Sequence, residues 1–208
     1  MIAVISGRIV NSWKVNPNAW LFKLKQFFAS FGDTPLKWEI FGGNAFLLRL
    51  NYPEESLFVA IIIKAIFRQI EDLDIELRIG IGEAEASYEA LRKMKGTAIS
   101  YTRWDESDKI PQKPAMLFCT GNELFDREFN LLLEFALLNM NQWSLAEAEI
   151  VELCMLFPEK NQQELAEWLR IRQSAVSQRR SRSQLDLLLK LDAYFRTKIT
   201  GHLIKPIV

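Results

Sequence analysis

The spacing of apolar residues changes character at Gly121. Ahead of it, apolar runs of strand length alternate with stripes at helical spacing; behind it, every stripe is helical. Ile2-Ala3-Val4-Ile5-Ser6-Gly7 is a β-branched run closing on a turn residue and predicts a buried strand. Pro17, with Asn16 placed to cap, opens a helix whose Leu21, Leu24, Phe27, Phe28 and Phe31 share one face before Gly32-Asp33. Leu36 to Phe41 and Ala45 to Leu50 predict a hairpin, because Gly42-Gly43-Asn44 between them readily supply positive φ. Pro53 begins a second helix reaching about Ile70. Ile75, Leu77, Ile79 and Ile81 then alternate with Glu76, Arg78 and Gly80 as a half-buried strand.

This order, strand-helix-strand-strand-helix-strand, predicts an α+β fold with a ferredoxin-like sandwich over residues 1–120. An irregular piece from Gly82 leads to a helical segment from Gly96 to Trp104, the turn-rich Ser107 to Pro114, and a last strand, Ala115 to Cys119. Residues 121–208 predict an all-α domain with helices at Glu123 to Asn139, Ser144 to Phe157, Gln162 to Leu169, Gln173 to about Arg182, and Gln184 to Ile199.

Residues 161–182 carry the main functional expectation, a helix-turn-helix. Asn161 can cap the first helix, Leu165 and Leu169 lie four apart on its inner face, and Ala166 is small where the second helix must approach. Ile171 fills the corner and Val176 anchors the second helix inward. The outward positions are Gln173, Ser174, Ser177 and Gln178, backed by Arg172, Arg179, Arg180 and Arg182. Amides and hydroxyls can address base edges in the major groove, and arginine can do so or grip phosphates, so double-stranded DNA is the expected partner. The segment resembles the helix-turn-helix of many bacterial transcription regulators, with Arg170 at the turn position usually held by glycine.

Net charge is zero over the 208 residues, which alone argues against a nucleic-acid partner. Its distribution reverses that. From Phe157 onward ten Lys/Arg stand against five Asp/Glu, leaving sixteen against twenty-one in the first 156 residues. No apolar run approaches the roughly 20 residues needed to span a bilayer, and Met1 to Val10 lacks a basic leader, so the expected compartment is the cytoplasm with no membrane contact. Cys119 and Cys154 sit in apolar settings and predict buried thiols; without CxxC or Cys/His spacing, no metal or other cofactor is expected.

Three segments carry a second likeness: Ile5 to Ser12, Trp38 to Phe46 and Leu77 to Gly82, joined by Gly96-Thr97-Ala98. Together they resemble the SatD family, whose N-terminal domain is similar to class III nucleotidyl cyclase domains and which tends to carry a C-terminal helix-turn-helix. The resemblance implies that two metal-holding aspartates would fall at Arg8 and Asn44. Arginine repels a cation and asparagine lacks the charge, so a catalytically inactive domain is expected. Arg8 and Asn44 remain candidate contacts for a small phosphorylated ligand; alternatively Arg8 is a surface residue or pairs with a carboxylate such as Glu39. Glu83 and Glu85 read as a solvated loop, and His202, the one histidine, supplies no triad.

The expected function is therefore DNA-binding transcription regulation, with the N-terminal domain sensing a ligand or mediating assembly. Two alternatives stay open: a nucleotide-processing enzyme with an altered metal site, and a helical protein-interaction scaffold. The last helix carries Leu185, Leu188, Leu189, Leu191, Tyr194 and Phe195, a stripe that can join the core or dock on a second copy as a homodimer.

Overall fold

The computed structural model describes residues 1–85, 90–104 and 115–204, with side chains through Gly201. The turn-rich stretch expected at Ser107 to Pro114 lies outside the described residues. The protein is α+β, with a mixed sheet in its N-terminal part and a helical C-terminal region. Five strands, β1 (Ile2–Val10), β2 (Trp38–Phe41), β3 (Ala45–Leu50), β4 (Asp74–Gly82) and β5 (Met116–Cys119), lie in the order β2-β3-β1-β4-β5. β1 is antiparallel to both β3 and β4, β2 is antiparallel to β3, and β5 joins β4 in parallel.

Period-two alternation sends Ala3, Ile5, Ile9, Phe46, Leu48, Ile75, Leu77 and Ile79 to one face, where α1 (Asn18–Ala29) packs Trp20, Leu24 and Phe28. The second helix, α2 (Ser56–Arg68), is buried on nearly every side from Leu57 to Phe67, because the sheet covers one flank and the C-terminal helices the other. Ile2, Val4 and Leu47 point to the opposite sheet face and meet Leu91, Met94, Ala98 and Ile99.

Two expectations about this half are corrected. β1 does not end at Gly7 but runs nine residues to Val10. Phe46, opposite Gly7 in the ladder, lays its ring over the missing side chain: a Cβ there would stand 2.2 Å from Phe46 Cζ. Gly7 is a packing glycine, not a turn. The helix expected from Gly96 to Trp104 is a single turn, α3 (Thr97–Ser100), preceded by a 3-10 turn at Leu91–Lys93. α3 lies so close to β4 that a Cβ on Gly80 would come within 2.2 Å of the Ala98 carbonyl oxygen.

The C-terminal region contains α4 (Glu123–Met140), α5 (Leu145–Leu156), α6 (Gln162–Leu169), α7 (Gln173–Arg182) and α8 (Leu185–Ile204). Its core is continuous with that of the sheet: Phe118 of β5 stacks on Phe195 of α8 at 4.8 Å, and Phe125 on Phe129 of α4 at 4.5 Å. Polar ties cross the same boundary. Buried Lys64 donates to Asp74 at 2.6 Å and to Asn141 at 2.6 Å, and Arg68 donates to the Trp143 carbonyl at 2.6 Å. Desolvation pushes the Lys64 ammonium below its ordinary pKa, and the Asp74 carboxylate partly offsets that.

Much of the apolar stripe of α8 joins this core, with Leu185, Leu188 and Phe195 buried, while Tyr194 stays exposed. Cys119 and Cys154 are half-buried, not fully buried as expected, Cys154 at the margin of two apolar clusters; burial still raises both thiol pKa values. Among the described residues, no helix is long and apolar enough to cross a membrane.

Candidate nucleic-acid interface

α6 begins with a reciprocal cap. Asn161 Oδ1 accepts from the N–H groups of Gln163 at 2.9 Å and Glu164 at 3.0 Å, while Glu164 accepts from the Asn161 N–H at 2.8 Å. The helix ends where Arg170 takes a left-handed conformation, φ 55° and ψ 42°, letting the Ile171 N–H reach back to the Ala166 carbonyl at 3.0 Å. Arg170 thus performs the turn usually left to glycine, at a steric cost of about 1–2 kcal/mol.

This turn sets α7 across α6. Val176, fully buried, meets Leu165, Ala166 and Ile150, with Leu153, Leu169 and Ile171 around them. The small side chain of Ala166 permits the approach. Ile150, from α5, is the floor of the pair, a contribution that the spacing within 161–182 could not disclose.

With Val176 facing inward and Ala175, Arg179 and Arg180 half-buried beside it, the other positions of α7 face solvent. Gln173, Ser174, Ser177 and Gln178 are exposed, as are Arg172 just before the helix and Arg182 at its end. Arg172, Ser174, Ser177, Gln178, Ser181 and Arg182 line an open concavity of about 850 Å³. Its polar atoms are hydroxyls, amides and guanidinium groups.

The other two arginines behave differently. Arg179 is half-buried and pairs with Glu149 of α5 at 3.4 Å. Arg180 directs Nε at 3.0 Å and Nη2 at 2.6 Å to Asp186, and these hydrogen bonds raise its pKa further. Each is held by a carboxylate of the chain itself. Glu149 lies thirty residues before Arg179, so no local pattern signalled the pairing. Gln162 was likewise missed: its Oε1 accepts from Gln173 Nε2 at 2.6 Å, joining the first residues of the two helices.

The second candidate site lies on β1. Arg8 is opposite Ala45 in the ladder, and the Ile9 N–H donates to the Asn44 carbonyl at 2.8 Å, so Arg8 and Asn44 are neighbours. The Arg8 guanidinium stands 4.4 Å from the Trp104 ring centroid and 4.0 Å from Glu76; Arg78 approaches the same ring at 4.6 Å. Trp104 Nε1 donates to Ser6 Oγ at 2.9 Å, fixing the ring. Glu39, suggested as the carboxylate partner, instead binds Arg92 at 2.7 Å, and Glu76 takes its place. Glu83 and Glu85 are exposed, as expected of a solvated loop.

The chain matches no known family, no characterised protein and no solved structure.

Proposed function

We propose that the protein binds duplex DNA through the exposed face of α7 and acts as a transcription regulator. The observation that carries this reading is the row Gln173, Ser174, Ser177 and Gln178, standing clear of the body between exposed Arg172 and Arg182. On this reading, α6 and α7 are a helix-turn-helix whose second helix enters the major groove. Arg172 and Arg182 are the phosphate grips. Arg179 and Arg180 sit in partly exposed ion pairs, which contribute only about 0–1 kcal/mol, so phosphates can compete for them.

The strand order β2-β3-β1-β4, antiparallel throughout, supports the ferredoxin-like, cyclase-related assignment of the first 120 residues. In that frame the position of a metal-holding aspartate is filled by Arg8, whose guanidinium is stacked on Trp104. A fixed cation there opposes a divalent metal, and we read this domain as catalytically inactive. The Arg8 side chain stays partly exposed, and a phosphorylated small molecule is the ligand class that it fits.

Fluorescence anisotropy with a genomic fragment library tests the DNA reading. Binding is expected to weaken steeply with salt and on combined Arg172→Ala and Arg182→Ala substitution. Indifference to both would overturn it. Incubation with nucleoside triphosphates and magnesium or manganese is expected to give no turnover; product formation would overturn the assignment of Arg8.

A further inference from the structure

α4 has two apolar stripes. Phe125, Phe129, Leu133, Leu137 and Met140 are buried against the body. A second stripe faces outward, with Leu124 75%, Leu131 53%, Phe135 65% and Leu138 65% exposed. With Glu128 these positions advance by steps of four and three residues, the seam spacing of a coiled coil. Glu128, the charged member, accepts a hydrogen bond from Tyr194 of α8 at 2.6 Å, which draws its carboxylate toward α8. α8 continues the surface: Leu187 is 62% and Tyr194 39% exposed, and with Leu131, Leu132 and Leu191 they line an open groove of about 450 Å³. Exposed apolar surface this contiguous marks an interface more often than a solvated face.

The flanking charges select the occupant. Arg127 and Glu134 are both exposed, lie seven residues apart, and so occupy equivalent heptad places on the same edge of the stripe. In an antiparallel pair those edges meet, and a two-fold axis brings each Arg127 against the partner's Glu134. In the same register Leu124 faces the partner's Phe135. A parallel copy leaves both charges without such a partner, because the opposite edge of α4 is apolar: Phe125 is buried and Leu132 half-buried.

We propose that α4 is the seam of a homodimer, its Leu124-Leu131-Phe135-Leu138 stripe packed antiparallel on that of a second copy, with α8 closing the flank. The proposal rests on α4 and α8 and is independent of what α7 binds.

Sedimentation equilibrium on the full chain tests it. The wild type is expected to show the mass of two 24.1 kDa chains at about 100 µM, a concentration that captures even weak dimers. Leu131→Glu with Phe135→Glu is expected to give one chain, with an unchanged circular dichroism spectrum because both residues are on the surface. Arg127→Glu should raise the dissociation constant several-fold, and adding Glu134→Arg should restore it. A wild-type monomer at that concentration, or a dimer indifferent to Leu131→Glu with Phe135→Glu, would overturn the seam. Failure of the charge exchange to restore association would overturn the antiparallel register.

Discussion

Gln173 Nε2 donates to Gln162 Oε1 at 2.6 Å, fixing which way the amide at the start of α7 is turned. Gln173 is exposed, and on the proposed DNA reading its Oε1 and second N–H are the acceptor and donor for adenine N6 and N7. Gln173→Ala is expected to cost about 1–3 kcal/mol of discrimination at one A·T pair. Gln162→Ala, which frees the amide to rotate, should cost about 0.5–1.5 kcal/mol at the same pair. Selection from a randomised duplex library measures both. Unchanged base preference in Gln173→Ala would disprove the contact.

The arginines should separate by salt dependence. Arg172 and Arg182 are free to release counterions from DNA, whereas Arg180 must first leave Asp186. Each of Arg172→Ala and Arg182→Ala is expected to reduce the slope of log K against log salt by about 1, uniformly across sequences. Arg180→Ala should change it less. Titrations at four or five salt concentrations settle the ranking, and equal effects for all three would mean the ion pair with Asp186 is absent in the complex.

Elements whose signals are local were legible. The cap at Asn161, the glycine hairpin and the inward Val176 all follow from neighbours in the chain, and the structure places them as the spacing implies. What escaped involves partners distant in sequence. Gly7 reads as a turn until Phe46 is known to cover it, and Arg8 reads as a surface residue until Trp104, almost a hundred residues on, is brought over it. α4 was legible as a helix. Its outward stripe was not, because apolar residues on both faces blur the period that would assign one of them to the interior.

Arg170 tests the cost of the turn. At φ 55° its Cβ crowds the following carbonyl, a strain of about 1–2 kcal/mol that glycine escapes. Glycine also loses more chain entropy on folding, about 0.4–1 kcal/mol. Arg170→Gly should therefore stabilise the chain by up to about 1.6 kcal/mol net, read as a higher denaturant midpoint at unchanged slope. A lower midpoint would show that the arginine side chain contributes something its backbone does not reveal.

Asp192 offers a pH signature. Its side chain is 8% exposed beside α2 and accepts from Arg196 at 2.6 Å. Burial nonetheless raises its pKa above the ordinary 3.8, with the Arg196 hydrogen bond opposing that rise. A carboxyl that holds its proton more tightly when folded favours the native state fully below the unfolded pKa. The contribution is lost as pH climbs through the folded value. Asp192→Asn imitates the protonated form at every pH. Near pH 3.8 the variant and the wild type should be of similar stability, and with rising pH the difference should move in the variant's favour and then level off. Thermal melts of both proteins across acid to neutral pH supply the comparison, in which all other titrating groups cancel. A difference that stays flat, or that favours the wild type as pH rises, would mean that the pairing with Arg196 outweighs desolvation at this position.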